Sequence, residues 1–332
     1  MQIFGLSKTA HNISGCFLMG LLIAMSPASR EATAGTLIVT SGLSNNEVLA
    51  YDTTTKSFEG VLATIPGIRT ITTNSTGDYF VGSGLGGSQA VYRVPSNGGS
   101  ATIFASGGGL NNPFGLDFGP DGNLYVSSAQ TNQILRYQGT TGAFMDVFAS
   151  GGGLNGPELL TFGPDGDLYV PSILTSQILK YDGSTGAFLG VFASASFPHA
   201  VRFGPDGNMY VSTGNGIVKY DGTTGALIGV FASGGGLSNP FGFLFAPDQN
   251  LYVTSAGSSA ILRFDASTGA FKDVFASGGN LTGPLDLIFE TPEPTSLGLF
   301  FAGCSILLIL LRSSGRSTAG ATSAVTPTTG RA

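Results

Sequence analysis

Three side chains in the body of this sequence have types suited to chemistry: Glu158, His199 and Asp286. A carboxylate beside an imidazole can orient it as a general base, and the same groups can hold a divalent metal ion. His199 is the only histidine between residues 35 and 290. Glu158 follows Pro157, His199 follows Pro198, and Asp286 lies two residues after Pro284; each proline opens a segment that recurs along the chain. The position of Glu158 and His199 is held in other copies by Phe114, Phe241 and Leu285. Glu158 and His199 stand in consecutive copies and are expected as neighbours, with Asp286 a third candidate nearby. The plainer alternative makes Glu158 and His199 solvated rim residues.

The copies are the strongest signal in the chain. "FGPDGNLYV" at Phe118–Val126 returns as "FGPDGDLYV", "FGPDGNMYV" and "FAPDQNLYV", starting at Phe162, Phe203 and Phe245 after steps of 44, 41 and 42 residues. That period suits a four-stranded propeller blade. A second module, "QILRYQGTTGAFMDVFAS" at Gln133–Ser150, recurs from Gln177, Gly216 and Ala260, with weaker versions from Glu47 and Gln89. Each unit reads as four short strands a, b, c and d, joined by Asp-Gly or Thr-Gly turns. Strands c and d are apolar on both alternations in places, the pattern of a sheet covered on both faces. Val39, Val81, Val126, Val170, Val211 and Val253 mark six strands b.

The ends are complementary. The body begins with a strand b, "TLIVTS" at Thr36–Ser41, and closes with an orphan strand a, "PLDLIF" at Pro284–Phe289. Pairing them completes one blade and removes the open edges of an unclosed ring. The fold expected is all-β: a six-bladed β-propeller over residues 35–290, flanked by N- and C-terminal hydrophobic helices. Length variation falls on the b–c and d–a connections, whereas the c–d module never changes its 18 residues. The face carrying the variable loops is therefore the candidate working face. The short approach "ASFPH" and short loop "STGNG" predict a notch beside His199 on that face.

Composition excludes several classes. Charged residues make up 10%, Gly 52 of 332 residues, and Trp is absent, which suits a turn-rich β protein. A net charge of -6 without Lys/Arg clusters argues against nucleic acid as a partner. Cys16 and Cys304 both lie in the apolar terminal segments, so the body offers no thiol for a disulfide, zinc cluster or nucleophile. The repeated Asp121, Asp165, Asp206 and Asp248 invite a calcium assignment, but Asp in a Pro-Asp-Gly turn hydrogen-bonds its own backbone. "GSGLGG" at Gly82–Gly87 follows a strand but leads to no helix, so it is no phosphate loop.

The termini change character. Lys8, the apolar run Cys16–Met25 and the small residues Ala32, Thr33 and Ala34 before Gly35 read as a signal peptide over residues 1–34. After Phe289, Pro292, Glu293 and Pro294 break the sheet, and Leu297–Leu311 runs without charge before Arg312 and Arg316. Fifteen residues of helix rise about 22 Å, short of a hydrocarbon core of roughly 30 Å. The arginines favour a cytoplasmic C-terminus. The expected parts are residues 291–316 as a sorting segment, with a transmembrane helix at 297–311, and residues 317–332 as a disordered tail.

The body resembles the six-bladed propellers of the NHL-repeat, gluconolactonase-like and streptogramin-lyase-like families, on its "PxG", "DGNLYV" and "ILRYD" recurrences. Gluconolactonase-like enzymes imply a divalent metal held by acids and amides; here Glu158 and Asp286 stand at mouth positions, with Asn111, Asn112, Asn155, Asn239 and Asn280 in the loops. Streptogramin lyases imply histidine chemistry, for which His199 is the candidate. The leader, passenger, Pro-Glu-Pro, short apolar helix and arginines resemble the PEP-CTERM sorting signal. That resemblance implies an exosortase-like processing enzyme, transient inner-membrane anchoring through the C-terminal helix, and delivery to the cell envelope or extracellular matrix. A plain membrane anchor is the alternative. The functional expectation is an exported non-catalytic propeller, binding a glycan or matrix protein and needing no cofactor. A lactonase- or lyase-like enzyme, with a site on the b–c/d–a face and a divalent metal such as calcium, stands beside it.

Overall fold

The computed structural model describes residues 35–42, 44–96 and 99–291. The expected leader with Ala32 and Ala34, the sorting residues Pro292, Glu293, Pro294, Arg312 and Arg316, the helix at 297–311 and the tail all lie outside them. Among the described residues no helix is long and apolar enough to cross a membrane.

Six four-stranded antiparallel sheets form the blades. Blade 1 contributes β1 (Thr36–Ser41), β2 (Glu47–Asp52) and β3 (Phe58–Thr64); blade 2 is β4 (Ile68–Thr73), β5 (Tyr79–Ser83), β6 (Ala90–Val94) and β7 (Thr102–Ala105). Blade 3 is β8 (Pro113–Phe118), β9 (Leu124–Ser128), β10 (Gln133–Tyr137) and β11 (Phe144–Ser150). Blade 4 is β12 (Thr161–Phe162), β13 (Leu168–Ser172), β14 (Gln177–Tyr181) and β15 (Phe188–Ser194). Blade 5 is β16 (Val201–Phe203), β17 (Met209–Thr213), β18 (Gly216–Tyr220) and β19 (Leu227–Ala232). Blade 6 is β20 (Pro240–Phe245), β21 (Asn250–Ser255), β22 (Ala260–Asp265) and β23 (Phe271–Ser277). The last strand, β24 (Pro284–Glu290), returns to pair with β1, placing Leu287 opposite Val39 and completing blade 1 as the split ends require.

The "LYV" of strand b builds the layer between blades. All six marker valines are fully buried. In blades 2 to 5 the ring beside the valine lies edge-on between a Phe of its own strand d and a Phe of the next blade's strand a: Tyr125 meets Phe148 at 4.7 Å and Phe162 at 4.9 Å, and Tyr169 meets Phe192 and Phe203 at 5.0 Å. Burying one such ring contributes about 1.5–3 kcal/mol, and edge-to-face contact about 0.5–1.5 more.

The turn aspartates serve this layer. Asp121 accepts the Asn123 N–H at 3.0 Å and the Tyr125 hydroxyl at 3.0 Å. Asp165, Asp206 and Asp248 repeat the pattern with Tyr169, Tyr210 and Tyr252. In the c–d turns Gly186 adopts φ 72° with its Cα against the Phe148 carbonyl of the preceding blade, a place that admits no Cβ.

Strand d departs from expectation. It is the outer edge of each blade and no described residue covers its far side, so its apolar residues are largely exposed: Val230 is 67% exposed and Leu227 66%. The double apolar alternation reports burial on both faces only for strand c.

Candidate functional site

The innermost strands line a central channel, and their first residues form a ring at its mouth on the b–c/d–a face. Pairing register fixes the membership. Pro113 lies opposite Ser128 and Ile68 opposite Ser83, so Arg69 stands where Phe114 does; Glu158, His199, Phe241 and Leu285 complete the ring. Counting from Pro66 puts Gly67 at this position, so Arg69 is not visible as a mouth residue from the repeat alone.

Glu158 and His199 are brought together. His199 Nδ1 lies 2.8 Å from Glu158 Oε2, with Glu158 6% and His199 7% exposed, so neither is a solvated rim residue. The cause is traceable to the next strand outward. At the position after the marker valine, hydroxyls donate to the mouth carbonyl of the following blade: Thr40 to Arg69 at 3.1 Å, Ser127 to Glu158 at 2.6 Å, Ser212 to Phe241 at 2.5 Å and Thr254 to Leu285 at 3.3 Å. Blade 2 has Gly82 and blade 4 Pro171 there, so neither the Phe114 nor the His199 carbonyl is offered a hydroxyl. The His199 carbonyl instead accepts the Leu159 N–H at 3.0 Å, and strands a of blades 4 and 5 meet in a parallel bridge, Leu159 to Ala200. This pinch sets the carboxylate against the imidazole.

The mouth is filled by its own side chains. Phe114 and Phe241, from blades on opposite sides of the ring, stack with centroids 6.1 Å apart at 27°. His199 lies on Phe241 at 4.0 Å, and the Arg69 guanidinium lies 5.6 Å from the Phe114 centroid. Arg69 Nε is buried without a hydrogen-bond partner among the described residues. Burial pushes the Glu158 carboxyl up, opposed by the hydrogen bond and charge of His199 and by the charge of Arg69. The expected notch is present only as surface relief: open space surrounds Gly214 and Phe197 is 59% exposed, while His199 itself is covered.

Asp286 does not join the pair. It lies one residue deeper, 1% exposed, and accepts the Thr70 hydroxyl at 2.8 Å and the backbone N–H groups of Ile71 at 3.1 Å and Leu287 at 2.9 Å. Its tie is to blade 2. Burial raises its carboxyl, with Arg202 the leading opposing influence. The sequence also gave no warning of Asp117 and Arg202, which line the channel further in. Asp117 is half-buried, and its carboxyl is raised by burial against the pull of Arg202. Of the loop asparagines, Asn112 Oδ1 accepts the Leu85 N–H at 3.2 Å and the Asn280 side-chain amide donates to Glu47 at 2.9 Å, while the backbone carbonyls of Asn155 and Asn280 accept from the Ser172 and Ser41 hydroxyls. Among the described residues no group of three or more His, Cys, Asp or Glu converges as a metal site would.

No protein-family model matches this sequence, and no curated protein matches it. Many solved structures share the fold. A chain of a nidogen/laminin complex aligns with TM-score 0.61 at 14% identity, covering 77% of this chain and 98% of that one. A protein of unknown function from Bacteroides caccae aligns with TM-score 0.61 at 15% identity, covering 78% and 100%. A streptogramin B lyase aligns with TM-score 0.55 at 16% identity, covering 79% and 92%. At these identities the likeness is one of fold alone: a six-bladed β-propeller.

Proposed function

We propose that this chain is an exported, non-catalytic β-propeller, a binding or structural module of the cell envelope or extracellular matrix. Delivery would follow the leader and the Pro292-Glu293-Pro294 segment, through an exosortase-like processing enzyme after transient inner-membrane anchoring. The observation that carries the non-catalytic reading is the plugged mouth. Phe114 and Phe241 close the channel, and Glu158 and His199 are spent on joining blades 4 and 5. A ligand such as a glycan or matrix protein then meets outer loops rather than a deep reactive pocket. The likeness to a chain of a nidogen/laminin complex agrees with a propeller that binds a partner protein, and this reading requires no cofactor.

One observation favours the enzyme reading. The His199 Nδ1 is held by Glu158, while its Nε2 has no protein partner among the described residues, the arrangement of a base and its orienter. The test is capture of native matrix polymer by wild type and by the double variant Glu158→Leu/His199→Phe, with lactone and cyclic-depsipeptide turnover assayed alongside. Unchanged capture and no turnover are expected. Turnover by wild type that vanishes in the variant would replace the binding module with a lactonase- or lyase-like enzyme.

A further inference from the structure

The opposite face, which carries the a–b and c–d turns, has a feature the repeat does not account for. In blades 3, 4 and 5 the cation of strand c lies over the aromatic cluster between blades: Arg136 over Phe148 at 5.1 Å, Lys180 over Tyr169 at 5.3 Å, and Lys219 over Tyr210 at 5.4 Å. Blade 2 breaks this arrangement. Phe80 replaces the tyrosine, Thr76 replaces the turn aspartate, and Asp78 enters two residues later. Arg93 is drawn sideways onto Asp78, with Nε at 2.8 Å and Nη2 at 2.5 Å, and no cation covers the Phe80–Phe104–Phe118 cluster among the described residues. A cavity of about 550 Å³ takes its place between the turns of blades 2 and 3.

We propose that this cleft binds a segment of saccharide chain. Phe104 and Phe118, half-buried and edge-on to Phe80 at 4.8 and 5.0 Å, supply the apolar floor on which the C–H face of a sugar ring packs. The walls supply donors for hydroxyl or carboxylate oxygens. Arg93 Nη1 and Asn74 Nδ2 have no partner among the described residues, and the exposed Thr140 hydroxyl is equally uncommitted. The volume lies in the range of small-molecule sites. A second cavity of about 420 Å³ shares Thr73–Thr76 and continues past the same turn toward Glu290 and Thr291, so the clefts suit a chain of several sugars better than one.

The proposal rests on the binding-module reading for its partner class and moves the site to the other face. Its test uses the full-length protein in detergent, titrated with linear hexasaccharides, neutral (β-1,4-glucan and mannan) and uronate (alginate), and followed by saturation-transfer NMR. Thr140→Arg fills the cleft from the surface without touching the core; Arg93→Ala removes the free donor; Asn215→Arg alters the exposed b–c loop of the other face. At least one hexasaccharide is expected to bind, with affinity falling about tenfold or more in Thr140→Arg and Arg93→Ala and unchanged in Asn215→Arg. Affinity lost in Asn215→Arg but kept in Thr140→Arg would overturn the site while sparing the binding module. Failure of every hexasaccharide would overturn the ligand class, and capture of native matrix protein would then decide the broader reading separately.

Discussion

Replacing His199 with alanine tests whether the buried pair is a joint between blades. The change removes the 2.8 Å bond and the ring on Phe241, leaving the Glu158 carboxyl 6% exposed without its principal partner. An unsatisfied buried polar group costs about 1–3 kcal/mol, and the lost ring contact about 1 more. Because burial already raises the Glu158 carboxyl, the group can take up a proton rather than remain an isolated charge, which keeps the total near 2–4 kcal/mol. For a domain of this size that is roughly a 5–15 °C fall in Tm. The same ring position elsewhere holds Leu285, Phe114 and Phe241, so Glu158→Leu/His199→Phe replaces the polar pair with residues the architecture already accepts. Exchanging a buried polar pair for packed apolar groups is often neutral or stabilising, so the double variant should return to within about 1 kcal/mol of wild type. Urea and thermal unfolding of the three proteins provide the measurement. A His199→Ala shift below about 0.5 kcal/mol, or a double variant less stable than the single one, would refute the joint.

Acid and neutral pH should act on different groups. Asp121 and Asp165 are held below the usual carboxylate range by hydrogen bonds and cations that outweigh their burial, so their stabilisation is present above the ordinary pKa and is lost as pH falls through the folded one. Asp286 is raised by burial and works the other way: stability declines as pH climbs from the ordinary carboxylate range to its raised folded value. Asp286→Asn should flatten the decline in Tm above about pH 4, and an unchanged slope would assign that decline elsewhere. Tyr125→Phe removes the hydroxyl bonded to Asp121 and should cost about 0.5–1.5 kcal/mol by urea unfolding; an equal change at Tyr169 should add to it, being one blade away. Pro171→Ser restores the missing hydroxyl opposite the His199 carbonyl. Histidine NMR should then show a weakened Nδ1 contact, and an unchanged spectrum would remove Pro171 as the origin of the pinch.

The propeller was legible in the sequence because its period is carried by the residues that build the inter-blade layer. Asp turns, Tyr and Val of strand b and the Thr-Gly turn recur since every blade must meet the next in the same way. Closure was legible from the split of "TLIVTS" and "PLDLIF". Strand d was misread because an outer edge with apolar residues on both alternations looks in sequence like a covered strand. At the mouth, the nearness of Glu158 and His199 followed from their shared repeat position, but their burial did not. Burial depends on Phe241 and Phe114 crossing the channel and on Pro171 withholding a hydroxyl, both contacts between blades rather than features of one repeat. Arg69 was hidden by irregular pairing at the start of β4, where a register shift separates Ile68 from Ile71 and defeats a count from the proline.

The most direct test of the central claim, that the propeller is a delivered binding module, is the intact mass and fractionation of the protein from its native host. Delivery requires a chain that begins near Gly35, ends near Pro292–Pro294 and is found in the envelope or medium. A chain that keeps Leu297–Ala332 and stays in the inner membrane would contradict delivery and make this an anchored propeller.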